Sequence, residues 1–195
     1  MARRGDVIEN PITSERITFL KTAEDTDGAL LRADFYLKPG GFLPGGVHTH
    51  PYQEERFEVN SGALGVRVGR RKHVLKAGQA IVVPPGVIHS WWNAGAGQME
   101  GVVEFRPALD MEGVFESSFA LARDGQLSEK GLPHPLQAIA LLAEYGDELG
   151  VPGLPHRLQR AIVRLLAPLT RKRGYRGRYH SRNEATASTA AGGEL

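Results

Sequence analysis

The stretch Gly78-Gln79-Ala80-Ile81-Val82-Val83-Pro84-Pro85-Gly86-Val87-Ile88-His89-Ser90-Trp91-Trp92-Asn93 decides how this chain is read. Ala80–Val83 is a run of four apolar residues between turn formers, too short for a helix, and it predicts a buried strand. Pro84-Pro85-Gly86 then turns the chain, because proline has no ladder donor and glycine accepts conformations closed to other residues. His89 begins a second short strand, on which His89, Trp91 and Asn93 share a face. Taken alone, His89 reads first as a core histidine bonded to a backbone carbonyl.

The same grammar extends outward. Arg16–Leu20, Ala29–Leu37, Val47–His50, Glu55–Val59, Leu64–Val68, His73–Leu75 and Met99–Phe105 are short runs of β character. Most of the 24 glycines and 12 prolines fall between such runs. This spacing predicts an all-β sandwich or barrel. Residues 1–14 read as an irregular lead-in and residues 38–46 as a loop. After Leu109 the period becomes helical: a short helix over 113–123, a second over Leu136–Leu149 opened by Pro135, and a third from about His156 to Thr170. In the last, Leu158, Ile162, Leu165, Leu166 and Leu169 form an apolar stripe expected to dock on the barrel or on a partner subunit. The expected organisation is a β-domain over 1–109, a helical extension packed on it over 110–182, and a disordered tail over 183–195.

Upstream of the first stretch lies His48-Thr49-His50-Pro51-Tyr52-Gln53-Glu54-Glu55. Alternation points His48 and His50 the same way, about 7 Å apart along a strand. Two imidazoles on one face suit one metal ion, although an isolated pair of this kind is commonly a surface accident. Unbroken alternation from His50 would add Glu54 to that face. A register break at Pro51, and the shared parity of Glu55 with Phe57 and Val59, favour Glu55 instead.

Together the two segments resemble the paired motifs of the cupin superfamily. His48-x-His50-x4-Glu55-x6-Gly62 fits the first motif except that its opening glycine, Gly41, lies one residue too far away. Gly78, Pro84, Gly86, His89 and Asn93 fit the second at every fixed position, and the six residues between Glu55 and Gly62 again favour Glu55 over Glu54. The resemblance covers about Arg32–Pro107. It implies a double-stranded β-helix (jelly-roll) barrel, here with two or three C-terminal α-helices. It also implies one divalent metal held by His48, His50, Glu55 and His89, all pointing inward, and homodimers that pair through their sheets. Such a donor set suits Fe(II) or Mn(II), with Ni(II), Zn(II), Cu(II) and Co(II) also compatible. Phe57 and Trp91 are expected to line the pocket, core packing being an equal alternative for Trp91. Glu104 is a candidate general base or orienting partner, against the plainer reading of a solvent-facing strand carboxylate.

Composition narrows the rest. With no cysteine, thiolate ligands, thiol nucleophiles and disulfides are excluded. No apolar stretch is long enough to span a bilayer, and the expected location is the cytoplasm. The net charge of +2 divides unevenly: residues 1–150 carry 15 Lys/Arg against 20 Asp/Glu, and residues 151–195 carry 9 against 2. The basic segment Arg171–Arg182 reads as a solvated tail or one paired with the chain's own acidic groups. Nucleic acid and membrane are not expected as partners, though this segment leaves anionic contact open. The function expected is a metal-dependent reaction on a small organic molecule, a dioxygenase reaction foremost. Isomerase, cyclase or lyase chemistry, a non-catalytic small-molecule binder, and a ligand-sensing DNA-binding protein are the alternatives.

Overall fold

The computed structural model describes residues 2–42 and 46–181. Nine strands and three α-helices follow in order: β1 (Val7–Asn10), β2 (Glu15–Lys21), β3 (Leu31–Leu37), β4 (Glu54–Ser61), β5 (Ala63–Val68), β6 (Arg71–Lys76), β7 (Ala80–Val83), β8 (His89–Asn93), β9 (Met99–Arg106), α1 (Met111–Arg123), α2 (Pro135–Glu144) and α3 (His156–Lys172). All strand pairs are antiparallel. They form a six-stranded sheet, β1-β2-β3-β9-β4-β7, and a three-stranded sheet, β6-β5-β8. The fold is a jelly roll built from two sheets, with no continuous ladder closing it into a barrel among the described residues. Ile17, Phe35 and Phe57 of the larger sheet and Leu64, Val66 and Trp91 of the smaller meet in one core.

Alternation accounts for that core. On β3, Leu31, Ala33, Phe35 and Leu37 are buried while Arg32, Asp34 and Tyr36 are not. Gly62, between β4 and β5, has φ +77°, and a Cβ there would lie 2.5 Å from the Gln98 carbonyl oxygen, so only glycine fits the turn.

Several expectations are corrected. The lead-in contains a strand: β1 pairs with β2 from Val7↔Thr18 to Asn10↔Glu15. Val47–His50 is not a regular strand; His48 and Thr49 make single bridges, to His89 and to Gly150. Ala80–Val83 does form a strand, but an edge strand paired only with β4, so Val82 is 43% exposed and just Val83 is buried. The second helix stops at Glu144 rather than Leu149.

α1 is capped by Asp110, whose Oδ1 accepts from the Gly113 N–H at 3.2 Å, and its Met111, Val114 and Phe119 join the core. α3 packs on α2 through Gln159, Val163, Ala167 and Thr170. The expected stripe does not dock on the sheets: Leu158, Ile162, Leu165 and Leu169 face outward. Gln159 has the better anchor. Its Nε2 donates to the Leu149 carbonyl at 3.0 Å and its Oε1 accepts from the Val151 N–H at 2.7 Å. The basic segment folds back on the helical region: Arg178 pairs with Asp110 and Glu144, and Tyr179 and Ser181 donate to Asp124. The expectation of disorder over 183–195 lies outside the described residues.

Candidate metal centre

Three separate pieces of chain supply the cluster. His48 and His50 come from the segment bridged to β8, Glu55 is the second residue of β4, and His89 is the first of β8. The reciprocal backbone bonds His48 N–H to His89 O (3.1 Å) and His89 N–H to His48 O (3.0 Å) hold two of the imidazoles together. Glu55 sits between Val83 on β7 and Phe105 on β9, and is 3% exposed. One donor atom from each of the four side chains falls within 4.8 Å of all the others.

The hydrogen bonds around the rings fix what the ring nitrogens can do. His50 Nδ1 lies 2.7 Å from the Glu148 carbonyl oxygen, and His89 Nδ1 lies 2.9 Å from that of Val87. A carbonyl only accepts, so both Nδ1 atoms carry the proton and both Nε2 atoms present a lone pair. The His89 lone pair faces the Glu55 carboxylate, while that of His50 faces His48 Nε2, which can donate to it. His89 Nε2 is 2.7 Å and His50 Nε2 3.7 Å from Glu55 Oε2, and His50 Nε2 is 2.9 Å from His48 Nε2. Despite the 2.7 Å approach, neither His89 Nε2 nor Glu55 Oε2 has a partner in hydrogen-bond geometry. Buried acceptors converging without donors call for a cation, either a proton or a metal. The residues present fit a divalent metal: three imidazoles, two of them oriented by backbone carbonyls, plus one carboxylate.

Electrostatics agree. Burial, then the neighbouring His50 and His89, push His48 well below its ordinary value, and burial dominates in lowering His50. Burial also opposes protonation of His89, but the Glu55 charge, their close contact and the Val87 carbonyl outweigh it and raise His89. A proton at His89 is the metal-free substitute for the cation.

His48 and Glu55 open onto a cavity of about 360 Å³ whose other walls are mainly apolar and aromatic, among them Phe35, Phe57, Trp91 and Phe105. Phe57 and Trp91 both line this cavity and both belong to the core, with Trp91 packed edge-on to Phe35 at 5.0 Å. Glu104 does not line the cavity. It lies on the opposite face of β9 from Val103 and Phe105, 3% exposed, in a cluster with Arg32, Arg106 and Arg56. Being opposite Arg32 and Arg56 on the two neighbouring strands determines this.

Two lining residues escaped the sequence reading. Glu15 shares the inward parity of Ile17 and Phe19 on β2 and is 4% exposed. Its carboxyl group makes no hydrogen bond or ion pair with another described residue, and burial, then the Glu55 charge, push its pKa up to about 8. Parity could have found it had the strand been begun one residue earlier. Asn10, on the neighbouring strand, has a buried Nδ2 without a partner. The Glu148 carbonyl, 98 residues from His50, carries no sequence signal at all.

Residues 33–103 match the family model described as the cupin domain. Among curated proteins it is similar to putative germin-like protein 3-4 of Oryza sativa subsp. japonica, 35% identical over 118 residues, 54% of this chain and 49% of that protein. Protein SchB of Streptomyces halstedii is 40% identical over 48 residues, 25% of this chain and 35% of that one. The chain spans about half the length of the germin-like proteins it matches. Among solved structures, KdgF from Halomonas sp. superposes with a TM-score of 0.47 at 19% identity, covering 55% of this chain and 90% of that one.

Proposed function

We propose that this cupin holds one divalent metal on His48, His50, Glu55 and His89 and acts on a small organic molecule bound in the adjoining cavity. The meeting of two buried acceptors without a donor, His89 Nε2 and Glu55 Oε2, inside a cluster of four side chains able to ligate one ion is the observation that carries this reading. Bound there, Fe(II) or Mn(II) would supply Lewis acidity and redox capacity for dioxygen chemistry, whereas Ni(II), Zn(II), Cu(II) or Co(II) would direct the site to isomerase, cyclase or lyase reactions.

The chain's own residues do the remaining work. The Glu148 and Val87 carbonyls hold the His50 and His89 rings in the tautomer that aims Nε2 inward. Phe35, Phe57, Trp91 and Phe105 exclude water and favour a ligand with an apolar body. Glu15, protonated near neutrality, presents a donor to a ligand oxygen on the cavity wall. A dioxygenase-type reaction is the specific activity proposed. The reading includes a homodimer joined through the sheets, for which the uncovered apolar edge at Val82 is the support.

Metal analysis by inductively coupled plasma of protein purified without a metal-affinity tag tests the site. Near-stoichiometric metal that His50→Ala and His89→Ala both abolish is expected. Absence of metal from the wild type even after reconstitution would sink the four-ligand centre. A substrate panel run under air and under argon then separates turnover from binding without turnover, the second outcome marking a non-catalytic binder.

A further inference from the structure

α3 turns its largest aliphatic side chains away from the rest of the protein. Leu158, Ile162, Leu165 and Leu169 are 50, 39, 79 and 42% exposed. At about 100° per residue they fall within one narrow sector, on the side away from buried Val163 and Ala167. Lys172 sits at the border of the stripe, while Arg157, Arg164 and Arg171 form a row roughly 130° round the helix from its centre, all exposed. Arg160 is engaged by Asp147. α3 contains five basic residues and no acidic one.

We propose that α3 is an interfacial helix that lays the Leu158–Leu169 stripe into the boundary between headgroups and acyl chains of an anionic lipid bilayer. An apolar stripe on one face and basic residues on the polar face are what such a helix requires. The long arginine side chains keep their guanidinium groups at phosphate level while the leucines enter the apolar layer. The helix lies on the surface: among the described residues no helix is long and apolar enough to cross a membrane.

Charge decides between the candidate occupants. Pairing two copies of α3 stripe to stripe brings together two helices that each carry five Lys/Arg residues, with no acidic residue on either to offset them. Residues 182–195 contain one large apolar residue, Leu195, too little to cover four. An anionic bilayer matches the sign of the helix and needs no shape-complementary groove.

Co-sedimentation of the full chain with vesicles of phosphatidylcholine alone, or with about 30% phosphatidylglycerol, tests this. Wild type should partition onto the anionic vesicles about tenfold more strongly, and the double variants L158S/L165S and R157Q/R164Q should each lose about that factor. Equal partition onto the two vesicle types, or no partition of wild type, overturns the proposal without reference to any variant. Undiminished binding by L158S/L165S also overturns it, because the basic segment beyond α3 would then be the binding element. A wild-type dimer that L158S/L165S converts to monomer in light scattering would make a second copy the occupant instead.

Discussion

Glu54 and Glu55 are chemically identical neighbours on β4, yet Glu55 lies among three imidazoles and Glu54 stands on the other face, opposite Arg106. Glu55→Gln should therefore remove retained metal after dialysis, while Glu54→Gln should leave it at the wild-type level. Equal loss in both would break the assignment. Glu15 supports a prediction of opposite character. Its folded pKa, about 8, exceeds its ordinary 4.5, so the folded state binds a proton that the unfolded state has released. The contribution of Glu15 to stability is then greatest below pH 4.5 and falls as pH rises towards 8. Glu15→Gln should raise the Tm at pH 8 and leave it nearly unchanged at pH 4, as read by thermal unfolding of the metal-free protein. Both residues were open to a reading by parity. Parity selected Glu55, whereas Glu15 was missed because the apolar run begins only at Ile17. The carbonyls that orient His50 and His89 are invisible in sequence, since every residue has one.

The strands from β2 to β9 were legible because turn formers separate them and alternation marks their inner faces. β1 was missed: only four residues long, it pairs through its backbone while Val7 stays 54% exposed. β7 was found but misread, since an apolar run says nothing of whether the strand lies at an edge. Glu104 was hidden for a related reason, because its arginines come from other strands. Burial works to raise its pKa, but the Arg106 hydrogen bond and the charges of Arg106, Arg32 and Arg56 hold it below 4.5. It thus stabilises the fold above pH 4.5, and that contribution disappears as pH falls through its depressed folded value. Glu104→Gln should cost about 2 kcal/mol at pH 7 and progressively less in acid, measured by urea unfolding. For α3, amphipathicity implied burial of the leucines, but tertiary context selected the opposite face through Gln159. Gln159→Ala orphans the Leu149 carbonyl and the Val151 N–H, costing about 1–3 kcal/mol. Faster amide exchange along α3 should report the loss.

The four candidate ligands join both layers of the molecule: Glu55 belongs to the six-stranded sheet, and His89, with His48 bridged to it, to the three-stranded one. A metal there would act as a tie between sheets that share no continuous ladder. At a hundredfold excess over its Kd, a metal that binds only the folded state adds about 2.7 kcal/mol. Chelation should therefore lower the Tm of wild type and leave His89→Ala unaffected, and an unchanged wild-type Tm would remove the tie.

The short connection after α2 links more distant parts of the chain. Within four residues, the Glu148 carbonyl accepts a hydrogen bond from the His50 ring N–H, Leu149 and Val151 are gripped by Gln159 of α3, and Gly150 exchanges backbone bonds with Thr49. The outermost helix and the innermost histidine are thus fastened to the same few peptide units. By thermodynamic reciprocity, a ligand of α3 that tightened a cation at His50 through these peptide units would itself be tightened by that cation by the same factor.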